Sequence, residues 1–420
     1  MTQLLSIRAA LSINGRYGPL LLVFHRSLQE LFLYNAGMKT WDVIIIGGGI
    51  IGLSLSIELR KKGASVLVVE RGEPGREASH AAGGMLVDSG LETPAALQPL
   101  ATASARMYPE FAHELEVESG MKVDLRDQGT ILFPSLEHIK HPQLRSAALQ
   151  FAQLDGLEPA LGQLPNEQEL ELDARLKVRG IDRAEIPSGA MLRLRPAFFL
   201  KERSVDPRGL TAATARTAKN RGVDFSSGNA VTAVNLSDDR VTGVTTTKTA
   251  FLAPKVVNCA GAWSGQIGPD AFPTRPVKGQ MLCVAMHPRD LLKHVIRSPD
   301  VYLIPRGDGR LLVGATIEEA GFDKRTDRAT IKRLHDAALA LVPKLADARI
   351  LEDWAGLRPG TPDALPILGA TATRGYYVAT GHFRDGILLA PITAQIMAEV
   401  ITGTGCNYDL TPFSPTRFSS

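Results

Sequence analysis

A glycine-rich turn between two short apolar runs is the feature that most constrains this chain. Residues 43–46 are apolar and β-branched, which is typical of a buried parallel strand. Gly47, Gly49 and Gly52 follow in GxGxxG spacing and begin a helix predicted over residues 50–62. The first glycine permits a tight turn, the second lets a pyrophosphate approach the backbone, and the third lets the helix pack against the strand. The segment predicts a Rossmann-like βαβ unit.

A second strand and an acidic residue complete this unit. Residues 66–69 are again apolar, and Glu70 stands at the strand end, where a carboxylate would bind ribose hydroxyl groups. Residues 76–86 (REASHAAGGML) are small and polar, so they would let a bulky ring system approach closely, with Ser79 as a donor. The other interpretation of that stretch is a flexible loop rich in glycine and alanine. These features predict a dinucleotide site and leave open whether the nucleotide is FAD or NAD.

Composition excludes several classes of protein. The 420 residues suffice for two or three domains, and 44% hydrophobic and 22% charged residues are ordinary for a globular enzyme. A net charge of +3 does not indicate nucleic-acid or membrane binding, and no apolar run of about eighteen residues predicts a membrane-spanning helix. The three cysteines have no metal-ligand spacing and indicate a reducing compartment. We therefore predict a cytoplasmic protein without a metal site.

The first 37 residues stand apart from the rest. They contain basic residues and no acid before Glu30, and the apolar run 19–24 is short for a signal-peptide core. Either they are a targeting or disordered extension, or the natural chain starts at Met38, where MKTWDVIIIGGG looks like a complete beginning. We favour the second interpretation and predict that residues 1–40 lie outside the fold.

The remaining chain alternates between helical and strand patterns. In the last predicted helix Leu389, Ile392, Ile396 and Val400 form an apolar stripe, and Pro391 falls in the first turn. The predicted elements are a strand over 129–134, a helix ending before Gly222, a hairpin and a further strand over 230–264, antiparallel strands between 274 and 318, a helix over 327–345, a strand over 375–381 and the last helix within 382–403.

Six motifs carry a resemblance to a known family. They are DVIIIGGGIIGLSLSIEL, NCAGAWS, RPVKGQ, VYLIPRGDGRLLVGATIEEAGFD, WAGLRPGTPDALPILG and ATGHFRDGILLAP. On these motifs residues 41–405 resemble the D-amino acid oxidase superfamily of FAD-dependent amine oxidoreductases, and within it glycine oxidases of the thiamine-biosynthesis type. The resemblance implies an α/β fold in which a Rossmann-like FAD-binding domain joins an antiparallel-sheet substrate domain.

The resemblance also implies that the chain is interleaved between the two domains. The segments implied for the FAD-binding domain are 41–92, 191–272 and 355–405. Those implied for the substrate-binding domain are 93–190 and 273–354, and residues 406–420 would form a C-terminal tail.

The chemistry follows from the same resemblance. FAD, held non-covalently, would take a hydride from the α-carbon of glycine or a similar small amino acid. Hydrolysis of the imine would give glyoxylate and ammonia, and oxygen would reoxidise the cofactor and form hydrogen peroxide. The reaction would supply thiamine thiazole biosynthesis, and the family suggests a homo-oligomer.

The resemblance assigns three substrate-binding residues. Arg358 in GLRPG would hold the substrate carboxylate through its planar fork, with Tyr302 and Arg384 assisting. The alternatives are an ion pair between Arg358 and Asp363, a core position for Tyr302, and capping of backbone carbonyls by Arg384. Asp300 would face the same side of a strand as Tyr302; it either lines the pocket and contacts the amine or is a surface turn acid.

The glycine motif and the resemblance together give a set of cofactor residues. The helix after Gly386 would direct its N-terminal amides at the flavin, and Asp385 stands where the family often has asparagine. The set comprises Gly47, Gly49, Ile50, Gly52, Glu70, Arg71, Ser79, Ala81, Ala82, Gly83, Met85, Val231, Ala260, Gly261, Trp263, Arg358, His382, Arg384, Asp385, Gly386, Ile387 and Leu388.

Related activities remain open at this point. Sarcosine oxidases, D-amino acid oxidases and D-amino acid dehydrogenases share the implied fold, and the acceptor could be oxygen or a quinone. Covalent flavin attachment is disfavoured because the late cysteine, Cys406, follows the last helix. A flavin-binding protein without turnover is disfavoured because Arg358 and Tyr302 are both present.

Overall fold

The computed structural model describes residues 39–88, 93–133 and 198–418, with the backbone alone at 198 and 199. The N-terminal extension up to residue 38 and residues 134–190 of the expected substrate domain therefore fall outside the described residues. The strands are β1 (Val43–Ile46), β2 (Val66–Val69), β3 (Met85–Leu86), β4 (Leu125–Arg126), β5 (Thr130–Leu132), β6 (Phe198–Leu200), β7 (Arg203–Val205), β8 (Asp224–Ser226), β9 (Val231–Ser237), β10 (Arg240–Thr246), β11 (Ala250–Leu252), β12 (Val256–Asn258), β13 (Arg275–Ala285), β14 (Val295–Arg297), β15 (Tyr302–Pro305), β16 (Arg310–Gly314), β17 (Ile350–Gly360), β18 (Ile367–Ala370) and β19 (Tyr376–Thr380). The helices are α1 (Ile50–Lys61), α2 (Ala78–Ala81), α3 (Gln98–Ser119), α4 (Pro207–Asn220), α5 (Arg328–Leu341) and α6 (Gly386–Thr402).

A six-stranded sheet contains the predicted βαβ unit. Its strand order is β18-β19-β12-β1-β2-β8, and every neighbouring pair is parallel except β18 and β19. Strands β1 and β2 have the predicted bounds and are buried at every residue, and α1 ends one residue earlier than predicted. Their unbroken apolar runs fit a sheet that is covered on both faces. The predicted unit is confirmed.

Different layers cover the two faces of this sheet. Helices α1, α3, α4 and α6 pack on one face in a single hydrophobic cluster. The three-stranded sheet β11-β10-β9 covers the other face. The β9–β10 hairpin turns at Asp238 and Asp239, which have positive φ values of 50° and 59°. Both central residues of a type I′ turn have positive φ, so this turn explains the predicted hairpin.

Helix α6 differs from its prediction in one respect. It begins at Gly386, so Pro391 lies in the second turn rather than the first. Proline has no N–H, and the carbonyl of Ile387 therefore loses its intrahelical donor. The hydroxyl of Tyr108 in α3 donates to that carbonyl, and the Ser104 hydroxyl of the same helix donates to the neighbouring Leu388 carbonyl at 2.6 Å. Helix α3 thus compensates for the proline.

A seven-stranded sheet forms the second layer and confirms the predicted antiparallel region. Its order is β17-β13-β16-β15-β14-β5-β6, and only β14 and β5 are parallel. Helix α5 covers one face through Ile331, Leu334 and Ala338. The opposite face carries Met281 and Tyr302, and it faces the cavity described below.

The domain division implied by the resemblance remains a proposal, and three segments refine it. Helix α3 lies in the range expected for the substrate domain but packs with α4 and α6. Strand β6 lies in the range expected for the FAD-binding domain but pairs with β5. The expected tail is packed: Phe413 is buried beside α6, and Arg417 Nε lies 2.8 Å from Asp363 Oδ2.

Candidate active site

A cavity of about 910 Å³ lies between the parallel sheet and the seven-stranded sheet. It is lined by residues from both layers, from the glycine turn after β1 to the first residues of α6. All three predicted substrate residues and all but two of the predicted cofactor residues line it. Gly52 and Leu388 do not line it, and the cofactor-binding role of the whole set remains a prediction.

The glycine turn owes its shape to missing side chains. Gly47 has φ +105°, and a Cβ there would lie 2.5 Å from the Cys259 carbonyl oxygen. A Cβ at Gly52 would lie 2.1 Å from the Gly47 carbonyl oxygen, so this glycine serves the packing of α1 and not the cavity wall. The turn brings β1, β12 and the N-terminus of α1 together, where the first N–H groups of a helix attract anions.

Acceptors and donors already surround this helix N-terminus. Glu70 accepts from the N–H groups of Gly48 and Gly72, each at 2.8 Å, so its carboxylate is held at the end of β2. The Ile50 N–H donates to Ser79 Oγ at 2.9 Å, which places this hydroxyl beside the first turn of α1. A carboxylate for ribose and a helix N-terminus for phosphate fit a dinucleotide.

A stacked pair extends the nucleotide side of the cavity beyond Glu70. The Arg71 guanidinium carbon lies 3.5 Å from the centre of the Trp263 ring, and Arg71 Nη2 lies 2.6 Å from Glu77 Oε1. All three side chains belong to residues that line the cavity. Sequence reasoning found Arg71 and Trp263 but missed Glu77.

A buried arginine holds the segment that faces the cavity after α2. Arg306 donates to the carbonyls of Gly83 and Val205, the latter at 2.9 Å. Burial lowers the pKa of Arg306 to about 10. Sequence reasoning missed this residue because it ends the VYLIPR motif without any local partner that would indicate its role.

Arg358 and Tyr302 lie on the wall formed by the seven-stranded sheet. Arg358 Nη1 donates to the Thr316 carbonyl at 3.0 Å. Asp363 pairs with Arg417 instead, so the alternative ion pair between Arg358 and Asp363 is not formed. Burial raises the pKa of Tyr302, while the positive charges of Arg358 and Arg384 oppose that rise. The phenol is therefore a neutral donor at neutral pH.

Two glycines that sequence reasoning missed make room for this pair. A Cβ at Gly279 would lie 2.2 Å from Arg358 Nη1, and a Cβ at Gly314 would lie 2.8 Å from the Tyr302 ring. The only sequence signal for Gly279 was its position inside RPVKGQ. The missing side chains let the guanidinium and the phenol ring lie flat against the sheet.

Two charged residues stand at the mouth of the cavity. Arg384 is exposed and lies beside Phe383, whose φ is +47°. Asp300 precedes β15 in a bend; it is exposed and still lines the cavity. Asp300 is therefore a surface turn acid that borders the pocket, and its contact with the substrate amine remains a prediction.

The N-terminus of α6 reaches the cavity together with the residues before it. His382, Asp385, Gly386 and Ile387 line the wall, whereas Leu388 points into the core. His382 Nε2 lies 3.1 Å from Thr393 Oγ1, and burial lowers the pKa of His382 to about 3. The imidazole is therefore neutral in the folded protein.

This buried histidine predicts a pH dependence of stability. The pKa of His382 in the folded protein lies below its unfolded value of about 6.5. At a pH between these two values the imidazole therefore binds a proton in the unfolded chain but not in the folded chain. The free energy of unfolding should fall as pH decreases below about 6.5, by at most about 1.4 kcal/mol per pH unit from this group. In His382→Gln, urea unfolding between about pH 6 and 4.5 should show a shallower slope. The exposed His113→Gln is the control; equal slopes in wild type and His382→Gln would contradict the prediction.

The described residues give little support for a metal site, a membrane-spanning helix or attachment of the flavin through Cys406. Within 39–88, 93–133 and 198–418 no group of three or more His, Cys, Asp or Glu side chains could hold a metal ion. None of the helices seen in these ranges combines the length and apolar character needed to cross a membrane. Cys406 is half-buried and does not line the cavity.

Comparison with known proteins decides the family. A family model described as DAO, FAD dependent oxidoreductase, matches residues 42–400. The chain belongs to this family of FAD-dependent oxidoreductases. The nucleotide of this oxidoreductase is therefore FAD, and the carboxylate of Glu70 and the N-terminus of α1 fit its ribose and phosphates.

Individual relatives agree with the family. The oxidoreductase is 33% identical over 382 residues to the glycine oxidase of Geobacillus kaustophilus, covering 90% of this chain and 97% of that protein. The crystal structure of glycine oxidase from Geobacillus kaustophilus matches with a TM-score of 0.79 and 30% identity, covering 90% of this chain and 99% of that one. A bifunctional protein ThiO/ThiG of Trichormus variabilis is 33% identical over 392 residues, and the oxidoreductase spans 55% of that longer protein.

Proposed function

We propose that this oxidoreductase oxidises glycine or a similarly small amino acid. The observation that carries the proposal is the placement of Arg358 and Tyr302 side by side on the wall of the FAD cavity. The similarity to glycine oxidases supports it. The named relatives also motivate the proposal that the reaction serves thiamine thiazole biosynthesis.

Arg358 and Tyr302 bind the substrate carboxylate. A guanidinium fork pairs with both oxygens of a carboxylate, and the neutral phenol adds a third donor. The positive charge of Arg384 at the mouth attracts the carboxylate towards them. With the carboxylate fixed against the seven-stranded sheet, the α-carbon is presented to the interior of the cavity.

The protein orients the reactants and the cofactor supplies the redox chemistry. The chemistry that bound FAD would supply is the acceptance of a hydride from the substrate α-carbon. No side chain is required to remove a proton from that carbon, and Arg358 and Tyr302 act by positioning. The N-terminus of α6 brings the positive end of a 17-residue helix to the cavity wall. The imino acid product hydrolyses in water to glyoxylate and ammonia, and oxygen is the proposed acceptor.

Three further points belong to the proposal. FAD is held non-covalently: Cys406 does not line the cavity, and Cys259, which does, is buried, and burial raises the pKa of its thiol. The enzyme works in the cytoplasm as a homo-oligomer. Acid precipitation tests the first point: yellow colour retained in the pellet would contradict it, and colour in the supernatant is expected.

Substrate reduction of the cofactor provides the main test. Anaerobic glycine should bleach the yellow holoenzyme, and with oxygen a peroxidase-coupled assay should show hydrogen peroxide. Sarcosine and D-alanine are tested beside glycine, and their activities relative to glycine show which substrate is preferred. The direct comparison is needed because one methylene changes the binding free energy by only about 1–3 kcal/mol. Bleaching without hydrogen peroxide would show that the electron acceptor of the enzyme is not oxygen. No bleaching by any of the three amines would overturn the proposed function.

A further inference from the structure

Residues 315–327, called the strap here, connect β16 to α5 and are fastened to β13 at both ends. At the first end Gln280 N–H donates to Thr316 Oγ1 at 2.8 Å, and Gln280 Nε2 donates to Glu318 Oε1 at 2.9 Å. At the other end the Asp327 N–H donates to Gln280 Oε1 at 2.7 Å. One buried glutamine, 1% exposed, therefore fixes both ends of the strap.

Lys278 on the same strand repeats this arrangement. Its backbone pairs with Glu318 through two bonds of 2.9 Å, and its Nζ donates to the Arg325 carbonyl at 2.6 Å. Lys278 is itself buried. Because side chains alternate along a strand, Lys278 and Gln280 face the strap while Gly279 between them faces Arg358. Alternate residues of the motif RPVKGQ thus contact the strap and face the cavity.

The first end of the strap borders the substrate arginine. The Thr316 carbonyl accepts the 3.0 Å hydrogen bond from Arg358 Nη1. Its neighbours Ala315 and Ile317 line the cavity, and Ile317 is 61% exposed at the opening. The position of the strap therefore sets one of the contacts that orient the guanidinium.

The middle of the strap contacts the nucleotide side of the cavity. The Phe322 and Trp263 ring centres are 5.2 Å apart, and Trp263 carries Arg71 on its ring. Lys324 Nζ lies 3.0 Å from Glu77 Oε2, and Glu77 also pairs with Arg71. Phe322 and Lys324 do not line the cavity, but every residue they contact here does.

We propose that the strap couples FAD retention to carboxylate binding, with Thr316, Phe322 and Lys324 as positioning residues that act through Arg358, Trp263 and Glu77. When the nucleotide side of the cavity is occupied by FAD, the side chains of Trp263, Arg71 and Glu77 are held in place. Their contacts then fix the positions of Phe322 and Lys324. The fixed strap holds the Thr316 carbonyl against Arg358, so the guanidinium is oriented before substrate enters. Coupling between two ligands is reciprocal in affinity, so a bound carboxylate must tighten the binding of FAD by the same factor, and we expect the tighter binding to appear as slower release of FAD.

The inference rests on the proposed role of Arg358, and its experiment separates the two. Acetate serves as the probe, because it is a carboxylate without an amine and cannot be oxidised at an α-amine carbon. Its binding to the holoenzyme is followed by the change in flavin absorbance. Release of FAD after dilution is followed by the fluorescence of the free cofactor, with and without saturating acetate.

In the wild type, acetate should slow FAD release about fivefold or more. In the double variant Phe322→Ala/Lys324→Ala acetate should still change the flavin absorbance, and the ratio of the two release rates should fall to about one. The single variant Lys324→Arg keeps both the ion pair with Glu77 and the contact of Phe322 with Trp263, and it should keep the wild-type ratio. Lys332→Ala removes an exposed lysine that pairs with Asp336 on α5, and it should behave as wild type.

Each contrary outcome identifies what fails. A merely structural strap would speed FAD release equally with and without acetate, leaving the ratio unchanged in the double variant, and that result overturns the coupling. A wild-type ratio of one in the presence of an absorbance response overturns it as well. If acetate fails to change the wild-type absorbance, the carboxylate role of Arg358 is refuted, and the coupling is refuted with it.

Discussion

Arg358→Ala should lower kcat/KM for glycine by roughly 100- to 1000-fold, which corresponds to about 3–4 kcal/mol. The loss is large because the substitution removes a charged, bidentate donor from a partly enclosed site and leaves the substrate carboxylate without its counter-charge. Tyr302 remains and provides only a neutral hydrogen bond, which is the weaker kind. Steady-state kinetics with the peroxidase-coupled assay measures the effect, which should appear mainly in KM.

Two further variants make this result specific. Arg358→Lys keeps the charge but loses the planar fork, so its kcat/KM should fall between those of wild type and Arg358→Ala. Arg333→Ala removes an exposed arginine on α5 and should leave the kinetics unchanged. The FAD content of all variants should match wild type. A change of less than tenfold in Arg358→Ala, with normal FAD content, would show that another group holds the carboxylate.

Gly52→Ala should abolish most FAD binding and lower the free energy of unfolding by about 3 kcal/mol. The added methyl group would stand 2.1 Å from the Gly47 carbonyl oxygen and 3.1 Å from Ile45 Cγ2. A backbone carbonyl cannot swing away as a side chain can, so α1 must move away from β1. The displaced helix N-terminus would no longer meet the phosphates.

The ratio of flavin to protein absorbance and the urea midpoint measure this effect. Gly120→Ala is the control for a loss of stability without a clash: its φ is +68° and nothing lies within 4 Å of the added carbon, so the substitution adds backbone strain only and should leave the FAD content unchanged. That strain is about 1–2 kcal/mol. Normal FAD content in Gly52→Ala would show that the helix tolerates the shift and that this glycine is not needed for close packing.

The sequence was most informative where structure is decided locally. The bounds of β1 and β2 follow from their apolar runs, and the β9–β10 hairpin follows from two aspartates that tolerate positive φ. Pro391 was misplaced because a first-turn position would need a helix that starts about two residues after Gly386. Gly381 at φ +75° and Phe383 at φ +47° bend the chain before α6 begins.

Features that depend on distant parts of the chain could not be predicted. The amphipathic pattern of α3 shows that it is a helix but not which layer it covers. Gly279 matters because of a side chain 79 positions later, Arg358, and an absent atom leaves no pattern in the sequence. Lys278 and Gln280 look like ordinary polar residues of a strand until the strap supplies their partners, which lie 36 to 47 positions further on.

The order of the six-stranded sheet has a consequence for how the protein is made. Strand β1 leaves the ribosome before its neighbour β12, which comes about two hundred residues later, and β19 and α6 follow later still. The cavity wall includes Ile46 near one end of the sequence and Ile387 near the other. A nascent chain therefore cannot enclose FAD until the first residues of α6 have been synthesised. Until then its apolar strands must be shielded without the help of the cofactor, which makes the interval before completion the stage most exposed to aggregation.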